Sequence, residues 1–143
     1  MARQFALAGL LRVRQTEHDQ ALARTGAAEV ALRSHRDHVH TARSALADGP
    51  AEVTSAAALR AVAAARSSTS SMLTELLAAD GQHAQELDEA RTELVRARVA
   101  VQGLERLQER HEAAVVADEL AAEQVALDEI ASQAWRRNAA VRS

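Results

Sequence analysis

The sequence predicts an all-α protein, a long antiparallel two-helix coiled-coil hairpin with a short helix covering the loop end. Three observations lead there. First, hydrophobic residues make up 48% of the chain, but alanine is the commonest of them and the aromatics are confined to Phe5 and Trp135. Each buried Leu or Phe contributes roughly 1.5–3 kcal/mol and Ala far less, so this composition cannot build a globule around one core. Second, Ala, Leu, Glu and Arg are strong helix formers and dominate, while proline occurs once and glycine five times. Third, apolar residues recur with the alternating four-and-three spacing of a coiled-coil seam.

The first helix is expected from about Arg3 to Ala47. Its seam runs through Leu7, Leu11, Arg14, His18, Ala21, Thr25, Ala28, Leu32, His35, Val39, Ala42 and Leu46. Arg14, His18, Thr25 and His35 are polar where apolar residues pack best. Asp48-Gly49-Pro50 ends the helix, because glycine closes a helix readily and proline cannot continue one. The turn and short helix occupy about 48–66, with the alanine-rich stretch Ser55–Arg66 as the helix. Ser67 to Ser71 reads either as a joint or as a polar turn of a continuous helix.

The long helix is expected over about 72–137. One phase carries Leu73, Leu76, Asp80, His83, Leu87, Ala90, Leu94, Ala97, Val101 and Leu104. Gly81 and Gly103 weaken it locally, each by about 1 kcal/mol against alanine. Between His111 and Val116 the phase slips, and a new register runs through Val116, Leu120, Leu127, Ile130 and Ala134. At 1.5 Å per residue the helices would be roughly 65 Å and roughly 100 Å long. Folded back on each other as one coiled-coil domain over 1–143, they are expected to bring Phe5 near Trp135 and Leu46 near Leu94.

Charge fits this pairing. Residues 1–43 hold seven arginines and four acids, a balance of +3, and residues 44–143 hold ten arginines and sixteen acids, a balance of −6, which together make the net −3. A basic arm beside an acidic arm favours pairing within one chain, and hence a monomer. The same charges also suit solvated faces, where exposed pairs are worth roughly 0–1 kcal/mol. An alanine-rich seam with polar breaks predicts modest stability in isolation.

Several function classes are excluded or unsupported. The absence of cysteine removes disulfides, thiolate metal sites and cysteine nucleophiles. A net charge of −3 does not favour nucleic acid. No stretch is apolar for long enough to span a bilayer, and Phe5–Leu11, followed by Arg12 and Arg14, reads as neither a signal peptide nor a membrane helix. Asp128 and Glu129 are neighbours, so on a helix they point about 100° apart and do not converge as a catalytic pair. They read as a polar rim beside the apolar stripe of Leu127 and Ile130. His35, His38 and His40 resemble a metal cluster, but His40 leaves the face of the other two and zinc needs at least three convergent ligands. No catalytic residue, cofactor or metal is expected.

The two ends are richer. Leu7 and Leu11 occupy the seam, which leaves Phe5, Leu10 and Val13 needing another partner. With Trp135, Ile130 and Leu127 they would gather the scarce bulky side chains at one tip, and aromatics and arginine are enriched at interface hot spots. Pinning the hairpin's open ends together is the plainer role for the same residues.

Three motifs recur in order: Phe5, Leu7, Leu10, Leu11 and Arg14; Leu104, Glu105, Leu107, Glu109 and Arg110; and Glu123, Gln124, Leu127, Asp128, Glu129, Ile130 and Ala131. In order, spacing and total length the chain resembles the flagellar FliJ family, a small coiled-coil component of type III protein export. The injectisome stalk proteins of virulence secretion are similar too.

The resemblance implies an antiparallel coiled coil like the central stalk of rotary ATP synthases. It implies a non-enzymatic role as stalk and activator of the flagellar export ATPase hexamer, with contacts to the export gate protein and to export chaperones. The ATPase-binding end would comprise Phe5, Leu10, Leu11, Arg14, Leu127, Asp128, Glu129 and Trp135. The gate-facing loop end would comprise Val39, Leu46, Leu59 and Leu76. The place implied is cytoplasmic, peripheral at the inner-membrane base of the flagellum. A generic coiled-coil scaffold or homodimer, and a peripheral membrane helix over Phe5–Val13, stand as alternatives.

Overall fold

The structure is a computed structural model, and it describes residues 5–49 and 52–141. The expected helix start at Arg3 and the breaker Pro50 lie outside the described residues. Two helices account for nearly everything else: α1, Ala8–Ala47, and α2, Ala56–Val141. No strand occurs among the described residues. The fold is the expected all-α helical hairpin. It divides into two compact units, one of Met1–Gln15 with Val99–Ser143 and one of Thr16–Arg98.

In the unit of residues 16–98 the two helices run antiparallel around the predicted seam. Ala21, Thr25, Leu32, His35, Val39 and Ala42 of α1 are buried, as is Leu87 of α2. Leu73, Leu76, Asp80, His83, Ala90, Leu94 and Ala97 are partly buried in the predicted phase. The polar seam residues are accommodated individually. Thr25 Oγ1 lies 2.9 Å from the Ala21 carbonyl and 3.2 Å from the Ala90 carbonyl of α2. Its one proton is therefore shared between its own helix and its partner. Two ion pairs flank the seam, Arg24 Nη1 to Glu93 Oε2 at 3.1 Å and Arg91 Nη2 to Glu29 Oε1 at 3.0 Å. All four side chains are largely solvated, so each pair adds a few tenths of a kcal/mol to about 1 kcal/mol.

The expected short helix over Ser55–Arg66 is not a separate element. Residues 56–66 are the first turns of α2, which continues without interruption through the serine run. Alanine supplies the propensity for this, and Thr69 within the run and Thr74 just after it bond back along the helix rather than competing for its backbone. Thr69 Oγ1 donates to the Ala65 carbonyl at 2.9 Å and Thr74 Oγ1 to the Ser70 carbonyl at 3.0 Å. Ser55 caps the helix, its Oγ accepting from the Ala58 amide at 3.1 Å.

This early start corrects the expected pairing of Leu46 with Leu94. Ala42 and Ala45 share a groove with Thr69, Met72 and Leu76, so the last turn of α1 lies near residue 70 of α2. The connection then returns over the first turns of α2: a Cβ added at Gly49 would meet the Arg66 guanidinium at 2.9 Å.

In the other unit the beginning of α1 packs on α2 near residues 104–111. Leu11 and Leu104 are buried. The Phe5 ring rests on His111, centroids 5.7 Å apart. This overturns the expected meeting of Phe5 with Trp135. With α2 starting at Ala56, the pairing reaches Phe5 at the level of His111. Trp135 lies about 36 Å farther along the same helix at 1.5 Å per residue.

Candidate docking surface

Beyond His111, α2 runs on for about eight further turns to Val141, and its large apolar side chains there are left exposed. The register change predicted between His111 and Val116 falls where this solitary stretch begins. Val116, Leu120, Val125, Leu127, Ile130 and Trp135 are all more than half exposed, Trp135 at 73%. Burying even three such side chains against a partner would contribute roughly 5 kcal/mol before the costs of association. Two shallow depressions punctuate the stretch. Glu109, Glu112, Ala113, Val116, Ala117 and Leu120 line one. Ala131, Ser132, Trp135 and Arg136 line the other.

The acids here are held in place along the helix. Gln124 Nε2 donates to Asp128 Oδ1 at 3.0 Å, and Gln133 Nε2 donates to Glu129 Oε1 at 2.9 Å. Gln108 Nε2 likewise donates to Glu112 Oε1 at 2.8 Å. Glu112, Asp118, Glu119, Glu123, Asp128 and Glu129 outweigh Arg136 and Arg137, so the stretch is apolar with an acidic rim. It suits a concave partner lined with basic residues.

The predicted ATPase-facing residues are thus divided rather than gathered. Leu127, Asp128, Glu129 and Trp135 lie on the unpartnered stretch. Leu11 is buried in the helix pair, Arg14 is partly buried, Phe5 sits on His111, and Leu10 is 42% exposed. Val125 and Leu120 also belong to this exposed stripe, and the phase slip at His111–Val116 is the sequence signal that marks where it begins.

The loop-end residues also separate. Val39 is buried, Leu46 and Leu76 are partly buried, and Leu59 is exposed. Leu76 lines a groove with His38, Thr41, Ala42, Ala45, Thr69 and Met72. Met72 and His38 were not anticipated there. The small Ala42 and Ala45 on the facing helix were the sequence signal for such a groove.

Of the three clustered histidines, His35 is buried in the seam while His38 and His40 are exposed. No group of three metal-ligating side chains converges among the described residues. None of the described helices is long and apolar enough to cross a membrane.

The family model described as "Flagellar FliJ protein" matches residues 3–140. No curated protein matches the chain, and no solved structure does.

Proposed function

This chain belongs to the flagellar FliJ family, whose members are non-catalytic components of the flagellar export apparatus, and from that premise we propose that it is the central stalk and activator of the export ATPase. In this reading it also escorts export chaperones and links the ATPase to the export gate. The observation that carries the reading is the stretch of α2 after His111, where the large apolar side chains of Val116, Leu120, Val125, Leu127, Ile130 and Trp135 stay more than half exposed. A helix that is stable in this state is supported by what it binds.

Leu127, Asp128, Glu129 and Trp135 make the principal contact with the ATPase hexamer, with Phe5, Leu10, Leu11 and Arg14 shaping the neighbouring helix pair. Val39, Leu46, Leu59 and Leu76 form the end that faces the export gate. The protein works in the cytoplasm, peripheral to the membrane at the flagellar base. Co-purification with the export ATPase tests the assignment. Trp135→Ala with Leu127→Ala should reduce capture at least tenfold; capture at wild-type level by that variant removes this surface from the proposal.

A self-association reading draws on the same exposed stripe, which a second copy would also cover. Light scattering separates the two: a monomer mass leaves the stripe for the ATPase, and a tight dimer gives it to a second copy.

A further inference from the structure

We propose that the seam pair of buried His35 and half-buried His83 is the register lock of the helical hairpin, the feature that tells α1 which turn of α2 to pack on. The two rings stack at 4.7 Å between centroids, tilted by 40°. His35 is only 6% exposed. Its Nε2 and the Nδ1 of His83 are both buried atoms without a hydrogen-bond partner, the latter with Glu86 Oε2 at 3.6 Å. Asp80 closes the layer, with Oδ1 3.8 Å from His35 Nε2 and 3.7 Å from Arg36 Nε.

A lock is needed because the other layers discriminate only weakly. A heptad seam superimposes on itself after a slide of seven residues, so its spacing is blind to register. Alanine fills so many seam positions that side-chain shape adds little. Thr25 donates to a backbone carbonyl of α2, and every turn of a helix offers another carbonyl. The flanking charges object only weakly: moving α2 by one heptad replaces Glu93 opposite Arg24 by Glu86, acid for acid, and replaces Arg91 opposite Glu29 by Ala84, which gives up one solvated pair worth about 1 kcal/mol at most. The turn permits this slide, since the connection already returns over the first turns of α2, Gly49 lying at Arg66, and has length to spare.

The histidine layer objects most strongly. In the slipped register the buried His35 would face Leu76 and lose both the His83 ring and Asp80, while the half-buried His83 would face Ala28 and keep only the Asp80 and Glu86 of its own helix. Buried polar groups that match each other and nothing else are the best-attested devices for fixing coiled-coil register.

The chain contains no cysteine, so cross-linking pairs can be introduced cleanly. In the full chain, Arg24→Cys with Glu93→Cys reports the observed register through a short bismaleimide, and Arg24→Cys with Glu86→Cys reports the slipped one. With both histidines present the slipped pair should cross-link at less than a tenth of the yield of the native pair. Adding His35→Leu and His83→Leu should raise the slipped yield at least fivefold. A second variant moves the layer instead of deleting it: His35→Ala with Ala28→His should make the slipped pair the dominant product, because the imidazoles meet only there. Slipped yields that stay below a tenth in both variants, with helicity retained by circular dichroism, overturn the proposal. Loss of helicity in the leucine variant leaves the relocated layer as the deciding measurement, and native-pair dominance there overturns it equally.

Discussion

The Phe5 ring packs against His111 at 5.7 Å between centroids, tilted by 45°, and that contact fixes where the helix pair stops. Beyond it the large apolar side chains of α2, Val116 to Trp135, are more than half exposed among the described residues, so that stretch draws mainly on helix propensity or on another molecule. Distance measurements between spin labels test the relationship directly. A pair at positions 5 and 111 should report a short separation. A pair at 5 and 135 should report a mean distance longer by tens of ångströms, the helix rising about 36 Å between 111 and 135. Equal distances for the two pairs would restore the shared aromatic tip.

Burial separates residues that hold the fold from those that await a partner. Leu87 is 7% exposed and Leu127 is 61% exposed, although both sit on predicted seams of one helix. Leu87→Ala should destabilise the isolated chain by about 2 kcal/mol, the low end of core truncations because two helices enclose it only partly. Leu127→Ala should change stability by less than about 0.5 kcal/mol while weakening capture of the export ATPase. Urea titrations followed by circular dichroism, set beside co-purification, check both halves.

The seam was legible because its signal is local. Leu32, His35, Val39 and Leu87 fall where four-and-three spacing puts them, and all are buried. The register of the pair was not legible, and Phe5 was matched to the wrong turn of α2. A period of seven cannot say which repeat of one helix meets which repeat of the other. The serine run misled for a different reason: serine and threonine are weak helix formers, but Thr69 and Thr74 satisfy their hydroxyls on carbonyls four residues back. At the docking surface, exposed Trp135 was identifiable from rarity alone, whereas its separation from Phe5 followed from the register.

Two helix-interior glycines are open to improvement. A Cβ added at Gly81 or Gly103 would meet nothing within 4 Å, and neither glycine has a positive φ. Gly81→Ala and Gly103→Ala should therefore each stabilise the protein by about 1 kcal/mol, through helix propensity and a less flexible unfolded chain. Thermal melts check this, and a fall in melting temperature would mean that the added methyl collides with something.

Charge should govern the rate at which the partner is found more than the stability of the chain. Asp128 and Glu129 are exposed and hydrogen-bonded only to glutamines of their own helix, so reversing them removes no tertiary contact. Asp128→Arg with Glu129→Arg should leave the melt within about 0.5 kcal/mol of the parent. Against a basic partner surface, the same variant should slow association with the ATPase about tenfold at low salt. The difference should shrink as ionic strength rises, because the Debye length falls from about 30 Å at 0.01 M to about 8 Å at 0.15 M. Surface-binding kinetics at the two salt concentrations measure this. An association rate that is indifferent to both the reversal and the salt would mean that the partner meets α2 through its apolar stripe alone.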